Sequence, residues 1–369
     1  MESLNGPPLA DSAMIVVMGP TGSGKSSFIS LLSDEPVEIS HRLHSHTIST
    51  RPYKLRDQFG GKNVFLVDTP GFDDTSRPDA EILKEISFFL VMLHEKGVRL
   101  AGIIYLHRIS DPRMSGAATK NLRIFKSLCG EQNYRHVVLT STMWSHDNEK
   151  KAVEKRRLEE LQNLFWADMI RGGCLVKKHM GDAASALNIV RELATRKSLP
   201  RRPITLAIQR ELGDEGRTLD DTAVGKLLAQ EILGEREKTT RELAELQLSL
   251  EQAEQNNDQE AASSIRDEQE AASARAATRV RDIEGLGVRV SQLADEQRPR
   301  YHQTIADLLH EGQGDGEEGQ VPPSLIRPSQ NNSRHERKSA GSRRRPRATK
   351  YAVSPSKVAL LTWIAKSYR

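Results

Sequence analysis

Met14-Ile-Val-Val-Met-Gly-Pro-Thr-Gly-Ser-Gly-Lys-Ser26 is the stretch that decides the fold. Its first five residues are an unbroken apolar run, which is how a strand buried on both faces of a parallel sheet reads. Glycine and proline end the run, and a helical pattern follows from Lys25 to Leu32. A strand, a glycine loop and a helix in that order open an α/β domain.

The stretch from Gly19 to Ser26 fits G-x-x-x-x-G-K-[ST] in full. The glycines let the backbone turn sharply, so successive N–H groups point inward and cradle phosphate oxygens. The next helix turns its positive end toward the same anion. Gly19, Pro20, Thr21, Gly22, Ser23, Gly24, Lys25, Ser26 and Ser27 are therefore the candidate nucleotide-binding set. Lys25 is placed to reach the outer phosphates, and the Ser26 hydroxyl to ligate Mg2+.

Outward from this unit, strands are expected at 64–67, 101–106, 136–139 and 174–177. Helices are expected at 78–95, 116–128, 149–171 and 183–194. Such alternation predicts a doubly wound, mainly parallel sheet with helices on both faces, over residues 13–197. Residues 1–12 read as a flexible start. Residues 205–310 read as a helical extension, either a hairpin or a short coiled coil. Leu243, Leu246, Leu250 and Ala253 hold a three-four spacing, as do Ile283, Leu286, Val290 and Leu293, while Asn257, Glu260 and Ser264 interrupt the seam. Residues 311–356 are rich in Gly, Pro, Ser and Arg and read as a disordered basic tail. Residues 357–369 read as a short amphipathic helix.

The chain of 369 residues carries a net charge of +4, too small for a global nucleic-acid role. The charge is concentrated instead: Arg334 to Lys350 holds eight Lys or Arg against one acid, a run suited to acidic lipid or nucleic acid. Two cysteines, Cys129 and Cys174, are too few for a disulfide framework. No stretch reaches the length of a membrane span, and the N-terminus has no secretory pattern. The expectation is a soluble, intracellular and cytoplasmic protein.

A second motif, Asp68-Thr-Pro-Gly71, follows the strand at 64–67. An acid at the carboxyl end of a buried parallel strand lies where ligands of such sheets bind. Asp68 is the candidate for holding Mg2+, and the Gly71 N–H for sensing the γ-phosphate.

The pair GPTGSGKS and DTPGFDD resembles the translation-factor-related P-loop GTPases, nearest the septin and AIG1-like branch and its fungal relatives, over about residues 14–195. The resemblance implies a G domain that takes GTP or GDP with Mg2+. It implies a first-switch threonine that closes over the metal, which is Thr47 in Leu43-His-Ser-His-Thr47, with Thr50 as runner-up. It also implies homodimers, paired through the G domain or through a coiled coil. By the same resemblance Thr142, Met143, Trp144 and Ser145 stand where guanine is read, and His179 stands in the second base loop.

Two positions depart from that family's pattern. Phe72 follows Gly71, where many GTPases carry a water-orienting glutamine, and a phenyl ring cannot hold water. Ser145 stands where the guanine-reading Asp is usual. The sequence names no catalytic residue. The leading expectation is a slow GTPase or nucleotide switch; a non-hydrolysing nucleotide-binding scaffold and a P-loop ATPase are the alternatives.

Overall fold

The computed structural model describes residues 12–37, 49–59, 61–72, 77–98, 100–195 and 204–295. Thr47, the basic run and the C-terminal amphipathic stretch lie outside the described residues.

Six strands form one sheet in the order β2-β3-β1-β4-β5-β6. They are β1 Ser12–Met18, β2 Arg51–Lys54, β3 Asn63–Asp68, β4 Leu100–Arg108, β5 Val137–Thr142 and β6 Leu175–Lys178. All neighbours are parallel except β2, which runs antiparallel to β3. The sequence reading missed β2. Arg51-Pro-Tyr-Lys54 is short and half polar, and it adds on at the sheet edge, where a proline's missing N–H is tolerated.

Strand β1 shows why the sheet holds. Met14, Val16 and Met18 enter one core, whereas Ala13, Ile15 and Val17 enter the other. Alternate side chains leave opposite faces of a strand, so burial of both faces demands the unbroken apolar run. Each buried Val or Ile contributes about 1.5–3 kcal/mol. Helices α1 Lys25–Ser30 and α6 Ala183–Ala194 cover one face through Phe28, Ile29, Ile189 and Val190. Helices α2 Asp79–Glu95 and α3 Gly116–Cys129 cover the other, with Phe89, Ile124 and Phe125 buried.

The helix expected at 149–171 is divided. Helix α4 Asn148–Glu160 passes into a π-helical turn, Leu161–Phe165, before the short α5 Ala167–Arg171. Trp166 N–H donates to Leu161 O at 2.7 Å, and Trp166 itself is fully buried. The extra residue in the turn keeps that indole in the core.

The extension does not stand away from the sheet. Residues 204–222 are irregular, with a π-helical turn at Gln209–Asp214 and a 3-10 turn at Leu219–Asp221. Ile204, Leu206, Ile208, Leu212 and Leu219 join the core under α2 and α3. Gln209 Nε2 donates to Leu90 O at 2.7 Å, tying this segment to α2. Helix α7 Ala223–Gln255 then lays Val224, Leu228 and Ile232 into the same core.

Helix α8 Gln259–Glu284 returns antiparallel to α7. Ion pairs Arg266–Glu254, Arg275–Glu242 and Arg279–Glu235 follow the hairpin down from its turn. Leu250 and Ala253 pack on Ala262 in a small apolar seam. The turn accounts for the interrupted pattern: Asn257 takes a φ of 53°, and the Asp258 side chain accepts from Ala261 N–H to start α8. Leu286 and Leu293 return to the main core. Among the described residues, no helix is long and apolar enough to cross a membrane.

Candidate functional site

The chain switches direction across the sheet at β1, which lies between β3 and β4. Open α/β sheets bind ligands at the carboxyl ends of strands flanking such a switch. Both motifs emerge there, because Val17 pairs with Asp68 in register. Thr69 Oγ1 donates to Val17 O at 2.8 Å and fastens the second loop to the end of β1.

The glycine loop is wound as its sequence requires. Gly22 and Gly24 have φ of 75° and 90°, in the left-handed region that side chains disfavour. Lys25 is buried, and its Nζ donates to Gly19 O and Pro20 O, each at 3.0 Å. Its ammonium is thereby held inside the loop that would receive phosphate.

Ser26 Oγ donates to Asp68 Oδ2 at 2.7 Å. A hydroxyl and a carboxylate at this spacing are hard oxygen donors, the kind that Mg2+ prefers. Gly71 lies directly on the glycine loop. A Cβ there would sit 2.6 Å from both Thr21 N and Thr21 Oγ1, so only glycine permits the contact. Thr21 Oγ1 in turn donates to Gly71 O at 3.3 Å. The structure thus brings Gly19 to Ser26, Asp68 and Gly71 into one cluster.

Thr50 lies just before β2, whose Arg51 pairs with Asp68, and it is buried against Glu85. Its N–H and hydroxyl both reach Glu85 Oε1, at 2.6 and 3.2 Å, and Arg77 pairs with Glu85 at 2.8 Å. Phe72 is also buried, within the core beneath α2 and α3. Its carbonyl accepts from Asn121 Nδ2 at 3.4 Å, and Tyr105 OH donates to Asn121 Oδ1 at 2.9 Å.

The loop after β5 docks on the glycine loop. Thr142 Oγ1 donates to Ser23 O at 2.9 Å, linking the end of β5 to the glycine loop. Met143 has a φ of 58° and is 47% exposed, with its methyl 4.0 Å from where a Cβ on Gly24 would lie. An apolar side chain is thus left half-exposed beside the glycine loop. Trp144 is half-buried against the core; Nε1 donates to Ser141 O and Oγ, and Lys178 Nζ lies 4.3 Å from the ring centre. Asp147 caps α4 through Glu149 N–H.

His179 is turned inward. It is 6% exposed, its Nδ1 lies 2.9 Å from Ser185 Oγ, and its ring meets the edge of Phe28. Burial lowers its pKa against the opposing pull of Asp182.

Two charged groups in this region were not among the candidate site residues read from the sequence. The Arg108 guanidinium lies 3.0 Å from where a Cβ on Gly22 would be, and it pairs with Asp111 at 3.1 Å. Glu154, from the second turn of α4, accepts from Ser145 N–H through both carboxylate oxygens, at 3.0 and 3.2 Å. It is one acid in a helix full of charges, so no spacing sets it apart; only the fold brings it to Ser145.

Residues 14–114 match the family model described as 50S ribosome-binding GTPase. Over 97 residues the chain is 34% identical to the small ribosomal subunit biogenesis GTPase RsgA of Fusobacterium nucleatum. That match takes in 25% of this chain and 33% of the relative, so the chain spans about a third of the relative's length. Among solved structures, Toc33 from Arabidopsis thaliana in complex with Mg2+ and GMPPNP aligns at 20% identity with a TM-score of 0.41, covering 53% of this chain and 88% of that one. Era from Aquifex aeolicus aligns at 13% identity with a TM-score of 0.37, covering 51% of this chain and 58% of that one. The sheet order and the two motifs agree with the matched family model in fold: residues 12–194 form a mainly parallel six-stranded sheet with flanking helices of the P-loop GTPase type, and residues 14–114 are similar to that GTPase family.

Proposed function

We propose that this protein binds Mg2+ and GTP at the cluster of Lys25, Ser26, Asp68 and Gly71 and acts as a slow GTPase switch. The observation that carries the reading is the 2.7 Å bond between Ser26 Oγ and Asp68 Oδ2, flanked by the close approach of Gly71 to Thr21. Bound Mg2+ supplies charge neutralisation at the outer phosphates. The chain's own groups do the rest. Backbone N–H groups of residues 21–26 cradle the phosphates, and Lys25 exchanges two carbonyl partners for phosphate oxygens. Ser26 and Asp68 offer the metal its protein oxygens, with Thr47 of the first switch as the third. The Gly71 N–H faces the γ-phosphate.

Hydrolysis is slow in this reading because Phe72 is held in the core and cannot orient water. The same observation favours a second reading, a scaffold that binds nucleotide without turnover. The switch has a route to the extension. Lys120 of α3 pairs with Asp79 at the start of α2, at 2.8 Å, and with Glu235 of α7, at 3.2 Å. A movement at Gly71 and Phe72 would reach α7 through these contacts.

The septin- and AIG1-like likeness suggests that two copies pair through their nucleotide faces, and the basic run at 334–350 suits an acidic lipid or nucleic-acid surface. A cytoplasmic setting suits the two buried free thiols, Cys129 and Cys174. Competition of GTP and ATP for a bound fluorescent nucleotide, with and without Mg2+, tests the binding. GTP winning only with Mg2+ supports the proposal, and equal competition by ATP overturns the choice of base. Phosphate release compared with that of Lys25→Ala separates the slow enzyme from the scaffold.

A further inference from the structure

Ser145 lacks the carboxylate that a guanine-reading loop needs, yet a carboxylate is bonded to Ser145 itself. Glu154 reaches its N–H with both oxygens, at 3.0 and 3.2 Å. The side-chain oxygens of an aspartate at position 145 would lie roughly 3–4 Å from the same nitrogen, by standard bond lengths. Glu154 therefore holds a carboxylate within hydrogen-bond distance of the backbone at position 145.

The second observation is the state of that carboxylate. Glu154 is 4% exposed. Among the described residues its only donor is the Ser145 N–H, and no cation pairs with it. A carboxylate has about four acceptor sites, and burying it with a single donor is costly. Its remaining acceptor sites have room for two further donors. The N1–H and 2-amino group of guanine form such a pair, side by side on one edge of the ring. Thr142 fixes this loop to Ser23 of the phosphate loop, and Met143 stands beside Gly24, where a base attached to the bound phosphates would be covered.

We infer that Glu154 is the specificity-determining carboxylate of this site, reading N1–H and the 2-amino group of guanine in place of the residue missing at 145. The inference rests on the nucleotide-binding reading above and extends it to the base.

The test compares GTP, inosine triphosphate and xanthosine triphosphate, with Mg2+, by displacement of a fluorescent guanine nucleotide. Inosine lacks the 2-amino group, so the wild-type protein should bind it about ten- to a hundredfold more weakly than GTP. Glu154→Gln keeps an acceptor for Ser145 N–H but presents an amide to the base. Xanthine carries an oxygen at position 2, which an amide N–H can meet. E154Q should therefore lose about tenfold or more for GTP and gain for xanthosine triphosphate, reversing the order. Equal wild-type affinity for GTP and inosine triphosphate overturns the inference, and that measurement does not depend on any variant folding. An unchanged order of the three nucleotides in E154Q also overturns it and leaves Glu154 as a strut for the loop. Wild-type protein that binds none of the three overturns the nucleotide-binding reading itself, a distinguishable failure.

Discussion

Ser26 Oγ donates a 2.7 Å hydrogen bond to Asp68 Oδ2 across 42 residues of chain. The parallel pairing of β1 with β3 makes that contact, by bringing the loop after one strand beside the end of the other. Removing either oxygen should uncouple metal from nucleotide. For Ser26→Ala and Asp68→Ala the expected outcome is GTP affinity that no longer responds to chelation of Mg2+, measured by titration with and without EDTA. The Asp68 variant should lose on the order of 1–3 kcal/mol of stability, the scale of hydrogen bonding to a charged group.

Gly71→Ala is expected to fail for a steric reason. The new methyl would sit 2.6 Å from Thr21 N, a backbone atom that cannot swing away. Overpacking of this kind costs about 1–3 kcal/mol. Thermal unfolding should show that loss, and nucleotide titration a weaker triphosphate affinity than diphosphate affinity.

Phe72→Gln restores the residue type common in faster GTPases, yet it should not speed turnover. The Phe72 ring is buried beneath α2 and α3, so the substitution buries an amide without partners there. Destabilisation on the order of 3 kcal/mol or more is expected in chemical denaturation. A raised turnover rate with unchanged stability would contradict the core assignment.

Leu228→Ala and Ile232→Ala on α7 should destabilise the α/β domain itself, by about 2–5 kcal/mol each. Both side chains share a core with α2 and α3. A single unfolding transition, followed by both far-ultraviolet dichroism and a probe on the hairpin, is the expected signature. Two separated transitions would mean that the extension is an independent unit.

His107 and His179 predict a loss of stability toward acid. Burial lowers the pKa of both below the usual 6.5, His107 against Asp111 and His179 against Asp182. The unfolded chain then binds protons that the folded chain refuses. Stability is present above pH 6.5 and falls as the pH drops below it, by up to about 1.4 kcal/mol per unit for each residue. Unfolding in urea at pH 7.5 and 5.5 checks this, and His179→Gln should flatten part of the slope.

Much of the fold was legible because it rests on local pattern. The apolar run at 14–18 could be read from its own residues, and so could the glycine spacing, since both express constraints within a few positions. Strand β2 was not legible. Pro52 and the polar ends of Arg51–Lys54 carry no strand signal, and the segment is held by pairing with β3. The heptad-like spacing of the extension identified helices and left a hairpin or a coiled coil open; the turn at Asn257, with α8 lying back along α7, decides for the hairpin.

The candidate site divides along the same line. The sequence by itself determined the winding of the glycine loop, because its fixed glycine positions dictate the backbone they allow. It also showed what position 145 lacks. Only the tertiary structure decided that Phe72 belongs to the core, that His179 faces inward, that α7 is part of the α/β domain's packing, and that Glu154 stands at Ser145. Those facts depend on contacts between residues distant in sequence or on different elements. A side chain's partner across space is set by how sheet and helices pack, and no spacing along the chain encodes it.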